Sequence, residues 1–262
     1  ILGREPAKLD DAAIDAMVKG RVVLVTGAGG SIGSELSRQV AARSPSRLIL
    51  LDQCEVLLYQ AEQELIATGA GALITPIVAD VADAERMRDV FVRYAPDLVL
   101  HAAAHKHVPM MESQPAEALK NNVLGTAVVA RLAAEYGAEK FVLISSDKAV
   151  NPTNVMGASK RLAELVVQSM QARAGGRTSF LAVRFGNVLG SSGSVIPIFR
   201  RQIAAGGRLD AGADVGPPDV LGRVGLRPAG DRLGPADHRV RRRGRLPGHL
   251  ESVGTGVGGG QP

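Results

Sequence analysis

Three glycines, Gly27, Gly30 and Gly33, follow a short β-branched run in the spacing G-x-x-G-x-x-G and open a segment of helical periodicity. The first glycine of such a turn permits a tight bend, the second lets the backbone approach a pyrophosphate, and the third lets the helix pack closely on the strand. The backbone N–H groups that open the helix, those of Ser31 and Ile32, favour the negative charge of phosphates. The pattern predicts a dinucleotide-binding turn, and the alternative is a glycine-rich turn without a ligand.

Two acidic residues end the next two predicted strands. Asp52 comes about 20 residues after the glycine turn, where a carboxylate accepts hydrogen bonds from a ribose 2′-hydroxyl and repels a 2′-phosphate. Its neighbours Gln53 and Cys54 supply no cation, so NAD is favoured over NADP as the cofactor. Asp80, followed by Val81, could reach the adenine, or it could be a helix N-cap or turn residue.

Residues able to move protons follow the fifth predicted strand: Ser146, Asp147 and Lys148 in a row, with Lys160 at the start of the next helix. Asp147 and Lys148 could act as acid and base if burial disfavours their charges, leaving the first partly protonated and the second partly neutral. The alternative is an ion pair that only holds the loop. Lys160 is either a cation that stabilises developing negative charge or a solvated lysine.

Three histidines, His101, His105 and His107, end the fourth predicted strand and begin the loop after it. No fourth ligand lies nearby in the sequence, so no metal site is predicted. A loop against the phosphates of the cofactor is the favoured interpretation. Lys106 would then pair with a diphosphate of cofactor or substrate, or be merely solvated. The cofactor contacts assigned to this loop are Ala102 and Ala103.

The elements that must position these residues alternate regularly along the chain. Short β-branched runs predict strands at 22–26, 48–51, 73–79, 98–101, 141–145 and 180–184. Helical periodicity begins near positions 31, 55, 84, 116 and 156. This alternation predicts an α/β fold, a Rossmann-type doubly wound parallel sheet with its ligand crevice at the carboxyl ends of the strands.

The ends of the chain differ from its centre. Residues 1–19 are predicted to be a linker, with a short amphipathic helix from about position 10, and residues 20–207 form the dinucleotide-binding domain. Residues 208–262 are rich in Gly, Pro and Arg and lack Phe, Tyr, Ile and Lys. That composition predicts a disordered basic tail, or GC-rich DNA read in a shifted frame, instead of a substrate lobe. We therefore expect the chain to bind cofactor but to turn over poorly or not at all.

Composition excludes several classes of function. Most of the formal charge of +5 lies in residues 208–262, so a nucleic-acid partner is not expected. The sequence contains neither a membrane-spanning run nor a signal peptide, which predicts a cytoplasmic protein or the cytoplasmic part of an inner-membrane protein. The single cysteine, Cys54, cannot form an intrachain disulfide and predicts no thiol chemistry.

Four further motifs accompany the glycine turn: HAAAHKHVP at 101–109, NNVLGT at 121–126, SSDKAVNPTN at 145–154 and RFGNVLG at 184–190. The glycine turn, the serine near the end of the fifth strand and Lys160 resemble the extended short-chain dehydrogenase/reductases, and the four motifs carry a closer resemblance. The closer resemblance is to the nucleotide-sugar 4,6-dehydratases of bacterial polysaccharide synthesis, the capsular polysaccharide-protein group. The usual pattern of the wider family is Ser or Thr followed by Tyr-x-x-x-Lys. Met156 stands where that Tyr belongs, as in some larger, membrane-anchored members.

The resemblance implies a UDP-N-acetylglucosamine 4,6-dehydratase, with a UDP-linked amino sugar as partner. In that reaction NAD takes hydride from C4, the C5 proton leaves, water departs from C6, and the hydride returns to C6. By resemblance, Asp147 is the acid, Lys148 the base, and Lys160 the residue that binds the nicotinamide ribose. Met156 cannot take a proton, so the C4 hydroxyl must lose its proton through Ser146, a water or Asp147.

The resemblance also implies a substrate contact and an assembly. Asn187 aligns with a residue that contacts the nucleotide sugar, although a turn-forming Asn is an alternative. A homo-oligomer is expected, built through the helices that begin near positions 116 and 156. Two other functions compete, a nucleotide-sugar 4-epimerase and a non-catalytic dinucleotide-binding protein. The acid and base pair argues against the first, and retention of Lys160 and Ser146 argues against the second.

Overall fold

A computed structural model describes residues 10–173, 175, 177–186 and 204. Its sheet has six parallel strands in the order β3-β2-β1-β4-β5-β6, which is the Rossmann order. The order reverses between β1 and β4, so a crevice opens at the carboxyl ends of these strands. The strands are β1 Val22–Thr26, β2 Arg47–Asp52, β3 Ile74–Val78, β4 Leu98–His101, β5 Lys140–Ser146 and β6 Ser179–Phe185.

Helices cover both faces of the sheet, because neighbouring strand residues point to opposite faces and both sets are apolar. Leu24 of β1 packs in the cluster that includes residues of α4, α7 and α8. Val23 and Val25 pack in a second apolar cluster, on the other face of the sheet, with residues of α1, α2 and α3. The helices are α1 Asp11–Val18, α2 Ser31–Ala41, α3 Glu55–Ala67, α4 Ala84–Tyr94, α5 Val108–Ser113, α6 Pro115–Ala118, α7 Thr126–Glu135 and α8 Val155–Arg173.

The predicted fold class is confirmed, and all six strands lie where the sequence predicts them, with ends that differ by at most one residue. The helix expected from about position 116 is different. In its place lie α6, a π-helical segment Leu119–Gly125 and α7, and a separate helix, α5, precedes them. Pro115 separates α5 from α6, because the residue before a proline avoids helical backbone and Gln114 adopts φ −135°.

The part of the chain that the structure describes contains no helix with both the length and the apolar character needed to cross a bilayer. The tail at 208–262 and its boundary at position 207 lie outside the described residues, as does Asn187. The expectations for them stay predictions.

Candidate functional site

The glycine turn between β1 and α2 leaves no room for side chains at three positions. A Cβ at Gly29 would lie 2.6 Å from Leu57 Cβ. Gly27 has φ +68°, and a Cβ there would lie 2.6 Å from the backbone N of Ala103. A Cβ at Gly33 would lie 1.9 Å from the carbonyl oxygen of Gly27. At Gly30 a Cβ would meet only that same oxygen, at 3.3 Å. Among the glycines of this turn, Gly30 is therefore the position with open space above its backbone, as a backbone that receives a pyrophosphate requires.

A groove of about 530 Å³ lies over this turn at the carboxyl edge of the sheet. The structure brings together there six of the residues that the sequence assigns to a cofactor. Ser31 and Ile32 follow in the first turn of α2, where backbone N–H groups have no carbonyl partner within the helix. The residues lining the groove are Gly27, Gly30, Asp52, Gln53, Leu57, Ala79, Val81, Ala102, Ala103, Ala104, His105 and Asn121.

Asp52 links the end of β2 to the glycine turn. Its Oδ2 accepts a hydrogen bond from Gly29 N at 3.0 Å, and its Oδ1 accepts one from Cys54 N at 2.9 Å. An ionised carboxylate has about four acceptor positions, so two remain for hydroxyl groups in the groove. The open position over Gly30 and this half-buried carboxylate together fit a dinucleotide.

Asp80 makes the contacts of a turn residue, one of the roles considered above, and its adenine contact stays a prediction. Its Oδ1 accepts a hydrogen bond from Ala82 N at 2.8 Å, and its Oδ2 lies 3.5 Å from Lys120 Nζ. Val81 lines the groove, whereas Asp80 does not. The structure therefore supports the turn role for Asp80, because its carboxylate holds the backbone after β3 and pairs with the π-helical segment.

His101 is fully buried and belongs to the core. Thr126 Oγ1 donates to the carbonyl oxygen of Asn122 at 2.7 Å, so it accepts from His101 Nε2 at 3.0 Å. Thr26 Oγ1 then donates to His101 Nδ1 at 2.7 Å. Burial and the charge of Lys160 lower the pKa of His101 to about 3, so the imidazole is neutral. Within the described residues, no three His, Cys, Asp or Glu side chains form a metal-binding group.

We expect the neutral His101 to make stability depend on pH. Its pKa is about 3 in the folded protein and 6.5 ordinarily, so the unfolded chain binds an extra proton between these values. Stabilisation is complete above pH 6.5 and is lost as the pH falls towards 3. Urea unfolding between about pH 4 and pH 6 should give a slope about 1.4 kcal/mol per pH unit steeper than that of His101→Gln. Equal slopes would contradict the assignment.

Asn122 was not singled out from the sequence, yet it fixes one wall of the groove. Its Oδ1 accepts from His105 N at 2.8 Å, and its Nδ2 donates to His105 O at 3.0 Å and to Ser159 Oγ at 2.9 Å. One buried amide thus joins the loop after β4 to α8. The sequence offered one signal for this role, a pair of asparagines inside a segment of helical periodicity. Asparagine is a poor helix former unless its side-chain amide binds the backbone. On the same loop, partial burial lowers the pKa of Lys106.

Ser146 ends β5, and Asp147 and Lys148 follow it directly, in an arrangement that differs from the buried pair considered above. Ser146 Oγ donates to Asp147 Oδ1 at 3.0 Å, and Lys148 Nζ lies 3.4 Å from the same oxygen. The side chains are 55% exposed at Asp147 and 37% at Lys148. The Ser146 hydrogen bond and then the charge of Lys148 lower the pKa of Asp147. Burial therefore does not keep Asp147 protonated, and the geometry is that of an ion pair.

Lys160 is buried, so the solvated alternative is wrong. Its Nζ donates to the carbonyl oxygen of Ile144 at 2.6 Å, and burial lowers its pKa to about 8. Met156 is buried in an apolar cluster with Met111 and Ala118, where a thioether serves packing. A Cβ at Gly157 would lie 2.3 Å from Lys148 O, so α8 begins in direct contact with the turn that carries Asp147 and Lys148.

Comparisons with known proteins give the family. The family described as "Polysaccharide biosynthesis protein" matches residues 23–212. The capsular polysaccharide biosynthesis protein CapD of Staphylococcus aureus is 53% identical over 208 residues, which are 79% of this chain and 35% of that protein. The UDP-N-acetylglucosamine 4,6-dehydratase (inverting) of Campylobacter jejuni is 35% identical over 198 residues, 73% of this chain and 56% of the relative. Further relatives carry the name UDP-glucose 4-epimerase.

The crystal structure of Pen from Bacillus thuringiensis is similar to this chain with a TM-score of 0.67 and 34% identity, over 71% of this chain and 58% of that one. The chain thus spans about a third to a little over half of the length of the proteins that it matches. The chain belongs to the polysaccharide biosynthesis protein family, on a Rossmann-type fold of the short-chain dehydrogenase/reductase kind.

Proposed function

We propose that the chain is the dinucleotide-binding part of a nucleotide-sugar 4,6-dehydratase that acts on UDP-N-acetylglucosamine. The observation that carries the proposal is the cluster of Ser146, Asp147 and Lys148 at the same edge of the sheet as the groove, in contact with the helix of Lys160. The name of the relative from Campylobacter jejuni supports this substrate and reaction. A 4-epimerase would need no acid at C6, so the cluster favours the dehydratase.

NAD is the proposed cofactor. When bound, it would accept hydride from C4 of the sugar and return it to C6. Gly30 provides room for the pyrophosphate, and Asp52 with Gln53 lines the groove near the place of the ribose 2′-hydroxyl. A carboxylate there disfavours a 2′-phosphate. As an ammonium group, Lys160 has three donors, so it can bind both Ile144 O and a ribose hydroxyl.

The ionised state of Asp147 suits a proton cycle in which Met156 takes no part. Ser146 already donates to Asp147, so the proton of the C4 hydroxyl can pass through Ser146 to that carboxylate. Asp147, now protonated, gives this proton to the C6 hydroxyl, which leaves as water. Protonation of Asp147 removes the anion that pairs with Lys148, and the ammonium group of Lys148 then releases one proton to solvent. The resulting amine takes the C5 proton and returns it to C5, and a solvent proton restores the ammonium group at the end of the cycle. All protons balance, and the net change is the loss of one water.

The test is mass spectrometry of UDP-N-acetylglucosamine after incubation with NAD and an excess of the protein over sugar nucleotide. These single-turnover conditions detect slow conversion, which matters because little turnover is expected. Loss of one water supports the proposal. An unchanged mass with a new stereoisomer would identify a 4-epimerase, and an unchanged sugar with NAD bound would identify a non-catalytic dinucleotide-binding protein. The first result would overturn the dehydratase proposal, and the second would leave the chain as a dinucleotide-binding part without catalysis of its own.

The homo-oligomer stays a prediction of this proposal. The helical segments expected to form it carry exposed leucines: Leu119 and Leu124 in the π-helical segment, and Leu162 and Leu165 in α8. Burying such side chains in a second copy would remove apolar surface from water.

A further inference from the structure

A buried carboxylate on α8 has no role in the steps above. Glu164 is 1% exposed, and three side chains bind it. Ser145 Oγ donates to it at 2.6 Å, Arg184 Nε at 2.7 Å and Arg161 Nη1 at 3.0 Å. These partners lower the pKa of Glu164 to about 2 against the opposing effect of burial, so the group is a fully bonded anion inside the fold. Burying a charge is costly even when it is paired, so a purely structural contact could be built more simply.

The position of Glu164 relates it directly to the site. Lys160 and Glu164 are four residues apart on α8 and therefore lie on one face of the helix. Lys160 binds the carbonyl oxygen of Ile144, and Glu164 binds the hydroxyl of the next residue, Ser145. The two side chains thus form hydrogen bonds with consecutive residues of β5. Ser146 is the next residue along the chain. The orientation of the reactive turn, formed by Ser146, Asp147 and Lys148, therefore depends on these two hydrogen bonds.

The charges around Lys160 make the effect of Glu164 electrostatic as well as mechanical. Burial favours the neutral amine of Lys160, whereas the negative charge of Glu164 favours the ammonium form. The other charged or titratable groups that face this pair are His101 of β4, which is neutral, Arg161 of α8 and Arg184 of β6. Asp147 and Lys148 lie on the turn packed against the start of α8. Among these groups, Glu164 is the buried anion.

We propose that Glu164 is a positioning residue of the site: its carboxylate keeps Lys160 cationic against the opposing charge of Arg184 and holds the end of β5 on which Ser146, Asp147 and Lys148 depend. The consequence for the reaction rests on the proposed function, because there Lys160 binds the cofactor ribose. The charge coupling itself does not, since it exists in the protein without substrate.

The experiment follows the titration of Lys160 by NMR of the full chain with ¹³C-labelled lysine, its signal being assigned by its loss in Lys160→Arg. In Glu164→Gln, which keeps an acceptor but loses the charge, we expect the pKa of Lys160 to fall by about one pH unit. In Arg184→Gln, which removes the opposing cation, we expect the pKa of Lys160 to rise. The second variant alters a half-exposed side chain, so it remains informative if the first does not fold.

The matched control is Gln171→Ala. Gln171 Oε1 accepts from Phe180 N at 2.7 Å, so this change loosens the same contact between α8 and β6 without altering charge. Opposite shifts in the two charge variants, with none in the control, support the proposal. An unchanged Lys160 titration in Glu164→Gln and Arg184→Gln, or an equal shift in Gln171→Ala, would overturn it. A failure of the dehydratase proposal appears in the sugar assay and leaves this titration unaffected.

Discussion

Lys148→Ala is expected to reduce the exchange of the C5 hydrogen of UDP-N-acetylglucosamine with solvent by about a thousandfold, because positioned bases contribute on the order of 10² to 10⁴ in rate. The proposed reaction uses Lys148 for the C5 proton and for nothing else. Elimination should fall in proportion, whereas NAD affinity should stay within about twofold of the wild type. The measurement is deuterium incorporation at C5 in deuterated water, followed by NMR with the protein in excess.

Lys140→Ala is the matched control for this prediction. Lys140 lies on the same strand as the site residues but at its opposite, amino-terminal end, so the change removes a lysine from β5 without approaching the reactive turn. It should leave the exchange rate unchanged. Continued exchange in Lys148→Ala would assign the base role to another residue, and a loss in both variants would indicate a general disturbance of β5.

Gly30→Val is expected to weaken NAD binding by about a hundredfold, with little loss of stability. The backbone of Gly30, with φ −76° and ψ 161°, is one that valine adopts readily. A Cβ there meets only Gly27 O at 3.3 Å, so the side chain would extend into the groove where the pyrophosphate is proposed to lie. Isothermal titration calorimetry measures the affinity, and thermal unfolding checks the fold.

Gly71→Val is the corresponding control. Gly71 opens a short 3₁₀ turn, Gly71–Leu73, outside the groove, and a Cβ there contacts only Ile66, at 3.3 Å or more. Its NAD affinity should equal that of the wild type. An unchanged NAD affinity in Gly30→Val would contradict the assignment of the pyrophosphate to this turn. An equal loss of affinity in the two variants would mean that the effect is not specific to Gly30.

Much of the fold and of the cofactor groove could be predicted from the residues alone, because their signals are local. The apolar runs fall on the six strands to within one residue, and the glycine spacing places the turn between β1 and α2. Asp52 at the end of β2 lies beside that turn because parallel strands end at one edge of the sheet. Periodicity and turn chemistry involve neighbouring residues, so they can be read without knowing what packs against them.

The states of the site residues depend instead on contacts between distant parts of the chain. Asp147 is exposed and paired, whereas Lys160 is buried, although the sequence presents both as charged residues, one just after β5 and the other near the start of α8. Asn122 joins a loop 17 residues away to a helix residue 37 residues away. Burial and partners set the charge of a group, and both arise only when the sheet and helices pack. The sequence therefore determines the elements and the groove, and their packing determines which side chains are charged, buried or free to move protons.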